Sequence, residues 1–161
     1  MLTVRHLLNQ KDRAVRSVDP DDPVLEAIRA MAEHHVGALL VTGEGINVDR
    51  AVGIVTDRDI AVQAMAEGVS PGSGTVGEFM TDNLATVSES ADVHEAIEIM
   101  RAEGIRRLAV TAGNGEILGV LSFDDVVDAI AVELSSLAQA LRTEWFREAE
   151  TLGELDEKVE H

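Results

Sequence analysis

Two short runs hold the residue types that could do chemistry. Thr56-Asp57-Arg58-Asp59 and Ser122-Phe123-Asp124-Asp125 each follow an apolar run, and each places an acid three residues after a hydroxyl. A hydroxyl and free backbone N–H groups at the start of a helix suit an anion. A carboxylate at the third position can accept two hydrogen bonds from neighbouring hydroxyls of a sugar. The same spacing is also a capping box, which only ties a helix to its own first turn. Both readings stand for each run.

The two runs close two copies of one longer segment. Ser17 to Thr42 and Thr86 to Thr111 align without a gap, and nine of 26 positions are identical. Among them are Val18 and Val87, Ala27 and Ala96, Met31 and Met100, and Val41 and Val110. After a loop of slightly different length each copy ends on a matching stretch, GIVTDRDI from Gly53 and GVLSFDDV from Gly119. Two copies are too few for a solenoid, so the repeat predicts two halves packed about a pseudo-two-fold axis.

Each copy reads strand, helix, strand, strand, helix. Val18–Pro20 is a short strand, and Asp21, Asp22 and Pro23 predict a helix start with acids in its first turn. Val24, Ala27, Ile28 and Met31 keep helical spacing to about His34. Val36–Thr42 and Ala51–Val55 read as strands, Gly43–Arg50 as the turn between them, and Asp57–Glu67 as a second helix. The second copy predicts strands at Ala85–Val87, Ile105–Thr111 and Ile117–Leu121. Its helices fall at Asp92–Glu103 and from Asp124, with a turn at Ala112–Glu116. Thr3–Leu8 and Thr75–Met80 match, which gives each copy its own short leading helix. The organisation is thus one copy over 2–68, a connecting loop over 69–74 and a second copy over 75–132. Over 133–161 Leu134, Leu137, Ala138, Leu141 and Trp145 share one face of a further helix, whose acidic end frays. That helix packs on its own module or a dimer mate, or docks another protein.

Composition narrows the function. The chain has 161 residues, no cysteine and a formal net charge of -17. Thiolate catalysis, disulfides and cysteine-zinc sites are excluded, and the acidic field repels nucleic acid and anionic membranes. Only Lys11 and Lys158 are lysines, a balance that fits a salt-adapted source or a GC-rich genome equally. No apolar run approaches the ~20 residues that span a bilayer, and the first ten residues make no signal peptide, so the expectation is cytoplasmic. His34 and His35 are adjacent and cannot face one metal ion, and no other histidine pair has ligand spacing. No nucleophile has a base and an orienting partner.

With the duplicated order and the G-h-h-[ST]-x-x-D ending (h for apolar) at Gly53–Asp59 and Gly119–Asp125, the chain resembles a tandem pair of CBS domains, a Bateman module. The resemblance covers about Leu2 to Val132. It implies an α/β fold with intertwined repeats, a homodimer, and up to two clefts for an adenine nucleotide. The ligand would be AMP, ADP or ATP, or else NAD or S-adenosylmethionine. It also implies a regulatory role without chemistry, signalling to a separate protein, with no nucleic acid or membrane partner and no metal. A ligand-free scaffold is the alternative. On this resemblance Asp59 and Asp125, supported by Thr56, Ser122 and Asp124, face the ribose. Arg106 and Arg107 at a strand head, with Arg58, face the phosphates; pairing of these arginines with surface acids is the competing reading. Val18, Ala27, Val36 and Ile54 in one copy, and Val87, Ala96, Ile105 and Val120 in the other, wall the base; the competing reading is that they are simply core. Asp22 and Ala91 depart from the family's usual small hydroxyl residue. Because Gly37 and Ala38 stand where the second copy has Arg106 and Arg107, two unequal clefts are expected.

Overall fold

Runs of Val, Leu and Ala that lack polar alternation belong in strands covered on both faces, and they form the middle of each sheet. The computed structural model describes residues 2–10, 15–43, 51–68, 70 and 72–159. Its elements run α1 (Val4–Asn9), β1 (Ser17–Val18), α2 (Val24–His34), β2 (Ala38–Val41), β3 (Gly53–Thr56) and α3 (Asp57–Glu67). The second half repeats them as α4 (Val76–Phe79), β4 (Thr86–Ser88), α5 (Val93–Glu103), β5 (Arg107–Thr111), β6 (Ile117–Ser122) and α6 (Phe123–Val159). Each half builds a three-stranded sheet, β1-β2-β3 and β4-β5-β6, with the first pair parallel and the second antiparallel. The expected α/β tandem is what the chain forms. Of the predicted Gly43–Arg50 turn only Gly43 lies among the described residues, and the connecting loop lacks Val69 and Pro71 there.

Two compact units result, Met1–Phe123 and Asp124–His161. Within the first, Val24, Ala27 and Met31 of α2 bury against Leu39 and Val41 of β2, Val55 of β3 and Ile60 of α3. Leu40, Ala109 and Ile117 form a second cluster that joins the two sheets.

The leading helices are exchanged. Val76 and Phe79 of α4 complete the core of the first copy, not the second. Val76 N–H donates to the Asp22 carbonyl at 2.9 Å, Gly77 N–H to Pro20 at 2.8 Å, and Val24 N–H to Gly74 at 3.0 Å. The chain's own head repeats these bonds on the second copy: Val4 to Ala91 at 3.0 Å, Arg5 to Glu89 at 2.9 Å, and Val93 to Leu2 at 3.1 Å. Arg5 Nε also donates to Glu89 Oε2 at 2.9 Å. That bond, and then the charge of Glu89, raises the Arg5 pKa above its ordinary value, while desolvation opposes the rise. Equivalent leading helices therefore dock on opposite halves, the intertwining that the resemblance implies.

Gly53 and Gly119 open the space for this exchange. A Cβ on Gly53 would lie 2.5 Å from the Thr81 carbonyl and 3.3 Å from Met80 Sδ. One on Gly119 would lie 2.8 Å from Leu8 Cδ1. The glycine of the G-h-h-[ST]-x-x-D motif thus serves helix packing.

Two further expectations change. Asp21 and Asp22 do not enter the first turn of α2, which starts after Pro23 and holds only Glu26 among acids. Instead Asp22 Oδ2 accepts from Asp19 N–H at 3.0 Å, closing the preceding turn. In the second unit α6 does not break near Val132. It continues as one 37-residue helix to Val159.

Candidate functional site

Antiparallel pairing sets Ala38 beside Thr56 in one sheet and Arg107 beside Ser122 in the other. At both places the first residue of the following helix is tied back to the strand: Asp57 N–H donates to the Gly37 carbonyl at 3.2 Å, and Phe123 N–H to the Arg106 carbonyl at 2.8 Å.

The first junction is fully bonded within the chain. Thr56 Oγ1 donates to Asp59 Oδ2 at 2.6 Å and accepts from Asp59 N–H at 3.1 Å. Arg58 N–H donates to Asp57 Oδ1 at 2.8 Å. The first three N–H groups of α3 are therefore all taken, which corrects the expectation of free donors there. The cap is formed at Thr56–Asp59. Ser122, Asp124 and Asp125 occupy the matching positions, with Asp124 and Asp125 in the first turn of α6.

A cation reaches the first junction from the other copy. Arg107 Nη2 lies 3.8 Å from Asp57 Oδ1, with the arginine side chain 27% exposed and the acid 62%. The approach runs over Gly37, where a Cβ would meet Arg107 Nη2 at 2.5 Å and Asp57 Oδ2 at 2.9 Å. Arg107 has Ala38 as its counterpart, and Asp57 has Phe123, so the pair has no mirror image. The strand head of the second copy thus reaches the first copy's junction. Arg106 and Arg58 are exposed.

Thr56 and Asp59 are thus bonded to each other, while Arg107 reaches Asp57 over Gly37, two residues that were not among the expected site residues. The two charged positions of the ion pair are both apolar in the opposite copy, but nothing in the sequence pairs them with each other. Among the base-wall residues Val18, Ile54, Ile105 and Val120 are half-buried, Val36 is exposed, Val87 is buried, and Ala27 and Ala96 have no exposure at all; Ala91, which departs from the family's usual hydroxyl residue, is buried. Ala27, Ala96, Val87 and Ala91 are core, leaving little surface for a ligand. Asp22 is half-buried with its carboxylate turned to its own backbone.

Beside the Asp57–Arg107 pair an open groove of about 720 Å³ runs between α2 and α3, lined by Ile28, His35, Val36, Gly37, Asp57 and Ala61 among others. Thr56 and Asp59 do not line it. His35 ends α2 in the left-handed region, φ 53°, where the second copy uses Gly104 at φ 66°. Among the described residues no three His, Asp or Glu are grouped to hold a metal ion, and no helix is long and apolar enough to cross a membrane.

Comparison with known proteins matches the tandem fold. The CBS-domain family model fits residues 4–64 and 76–132. A CBS-domain protein from Burkholderia ambifaria superposes with TM-score 0.72 and 34% identity, over 80% of this chain and 93% of that one. One from Pyrobaculum aerophilum, complexed with AMP, gives 0.69 and 30%, over 84% and 99%. Hypoxic response protein 1 of Mycobacterium tuberculosis is 30% identical over 126 residues, 78% of this chain and 83% of that one. A structure of hypoxic response protein 1 carries two coordinated zinc ions. The chain spans 65% of the length of a further relative, an uncharacterized Methanopyrus kandleri protein.

Proposed function

The chain belongs to the CBS-domain family, and from that premise we propose that it is a non-catalytic sensor for an adenine nucleotide. The observation that carries this reading is the reach of Arg107 from the second copy to the Thr56–Asp59 junction of the first. A phosphate arriving there competes with Asp57 for the guanidinium. Arg107 bridges the two copies, so its change of partner is felt by both. Asp59 Oδ1 and, in the second copy, Asp125 accept the sugar hydroxyls, while Arg106 and Arg58 add positive charge. Val18, Ile54 and Val120 supply partly exposed apolar surface for the base. A nucleotide that favours one arrangement of the copies shifts the population toward it, and a separate protein reads the result. AMP, ADP and ATP are the leading ligands, with NAD and S-adenosylmethionine as further members of the class. Two copies of the chain assemble to form the working unit. The AMP complex of the Pyrobaculum relative supports the ligand class.

A ligand-free scaffold is the second reading, favoured by the internal bonding of the α3 N-terminus. Thermal shifts with AMP, ADP, ATP, NAD and S-adenosylmethionine separate the two. Binding at about 100 times Kd stabilises by about 2.7 kcal/mol, so a sensor shows a clear rise with at least one adenine nucleotide. Asp59→Ala and Asp125→Ala, made separately, should each be tested for loss of that rise. Survival of the full response in both variants removes the ribose assignment, and a flat response of the parent protein to all five compounds favours the scaffold.

A further inference from the structure

The second unit carries an apolar face that the sensor reading does not use. Val127, Ile130, Leu134, Leu137 and Leu141 follow one another on α6 at alternating spacings of three and four, the seam that winds one helix around another. They are exposed, from 39% at Ile130 to 62% at Leu137, whereas Val126 and Ala129 on the neighbouring face are buried. Trp145, the chain's one tryptophan, extends the seam and is 67% exposed. Positions beside the seam are small: Ala131, Ala138 and Ala140 let a second helix come close. Over 127–145 the seam is about 28 Å long at 1.5 Å per residue.

Charge identifies the occupant. The chain carries -17, yet between residues 129 and 143 only Glu133 and Arg142 are charged. Another copy, equally acidic, meets least repulsion here. Glu133 and Arg142 stand at equal distances on either side of the Leu137–Ala138 midpoint, so a two-fold through that point sets acid level with base at both ends, as a self-complementary interface requires. Direction follows from the composition of the chain end, where Glu148, Glu150, Glu154, Asp156 and Glu157 outnumber a single Lys158. Parallel pairing would stack two such segments, and antiparallel pairing sends them apart.

We propose that the Ile130–Trp145 stretch of the α6 seam pairs antiparallel with the same stretch of a second copy, centred near Leu137. This names the surface for the pairing of two chains, and it does not depend on nucleotide binding.

The absence of cysteine makes the test direct. Under mild oxidation of the full chain, Leu137→Cys should form a covalent dimer and Val127→Cys should not, because antiparallel pairing moves the two Val127 positions apart. The double variant Leu134→Glu/Leu137→Glu should halve the mass measured by light scattering and red-shift the Trp145 emission, with far-UV circular dichroism showing that the fold is kept. Cross-linking at both positions overturns the antiparallel direction. No cross-link at Leu137 with an unchanged mass overturns the seam altogether. If that unchanged mass is still twice the chain's, two copies pair through another surface and the homodimer reading survives without this one.

Discussion

At the scale of single residues, two glycines near the junctions face different neighbours. A Cβ on Gly37 meets only the ends of two side chains, Arg107 and Asp57, whereas one on Gly53 meets the Thr81 backbone. Gly37→Ala should therefore leave stability within about 0.5 kcal/mol, since flexible tips can move aside. It should weaken adenine-nucleotide binding, because the tip that moves is the proposed phosphate ligand. Gly53→Ala should cost about 1–3 kcal/mol, as overpacking against fixed atoms does. Urea midpoints for the two variants, with calorimetric titration of AMP, check both halves of the statement. The TDRD and SFDD runs were legible in the sequence because each pairs a hydroxyl with an acid at cap spacing. Asp57 and Gly37 were not, since their role depends on an arginine 50 positions or more away in the opposite copy. Nor could the sequence show that the α3 donors are already taken, because the Gly37 carbonyl that claims one of them arrives through sheet pairing.

At the scale of elements, periodicity located the helices and strands well. The helix Asp57–Glu67 has the bounds expected of it, and α5 begins one residue later than expected, with Asp92 capping the Glu95 N–H at 2.8 Å. Periodicity could not give the docking of the leading helices; only the family resemblance implied that the repeats intertwine. Two nearly equivalent helices and two nearly equivalent sheets give the same pattern whichever way they pair. The unbroken course of α6 could have been read, for no Gly or Pro stands between Phe123 and Leu152. The exchange makes α1 part of the interior: Val4, Leu7 and Leu8 are 0%, 3% and 2% exposed. Leu8→Ala should cost about 2–5 kcal/mol, the range for emptying a buried leucine site. Chemical denaturation measures it, and a loss below about 1 kcal/mol would mean that the head of the chain is only loosely held.

At the scale of the whole molecule, a net charge of -17 on 161 residues stores self-repulsion in the folded state. Salt screens exposed charges, with a Debye length near 10 Å at 0.1 M and about 3 Å at 1 M. Raising NaCl from 0.05 to 1 M should therefore raise the melting temperature, by about 2–4 °C for each kcal/mol of repulsion relieved. A flat or falling curve would show that the acids are already balanced where they sit. The exchanged helices have a consequence of another kind. The stretch of chain that was copied is not the body that folds. Cleave the connecting loop, and each severed portion keeps a plug shaped for its twin while lacking its own. A lone portion is whole only when a sibling lends it that plug in return, so the tether supplies proximity and the reciprocal loan supplies the structure.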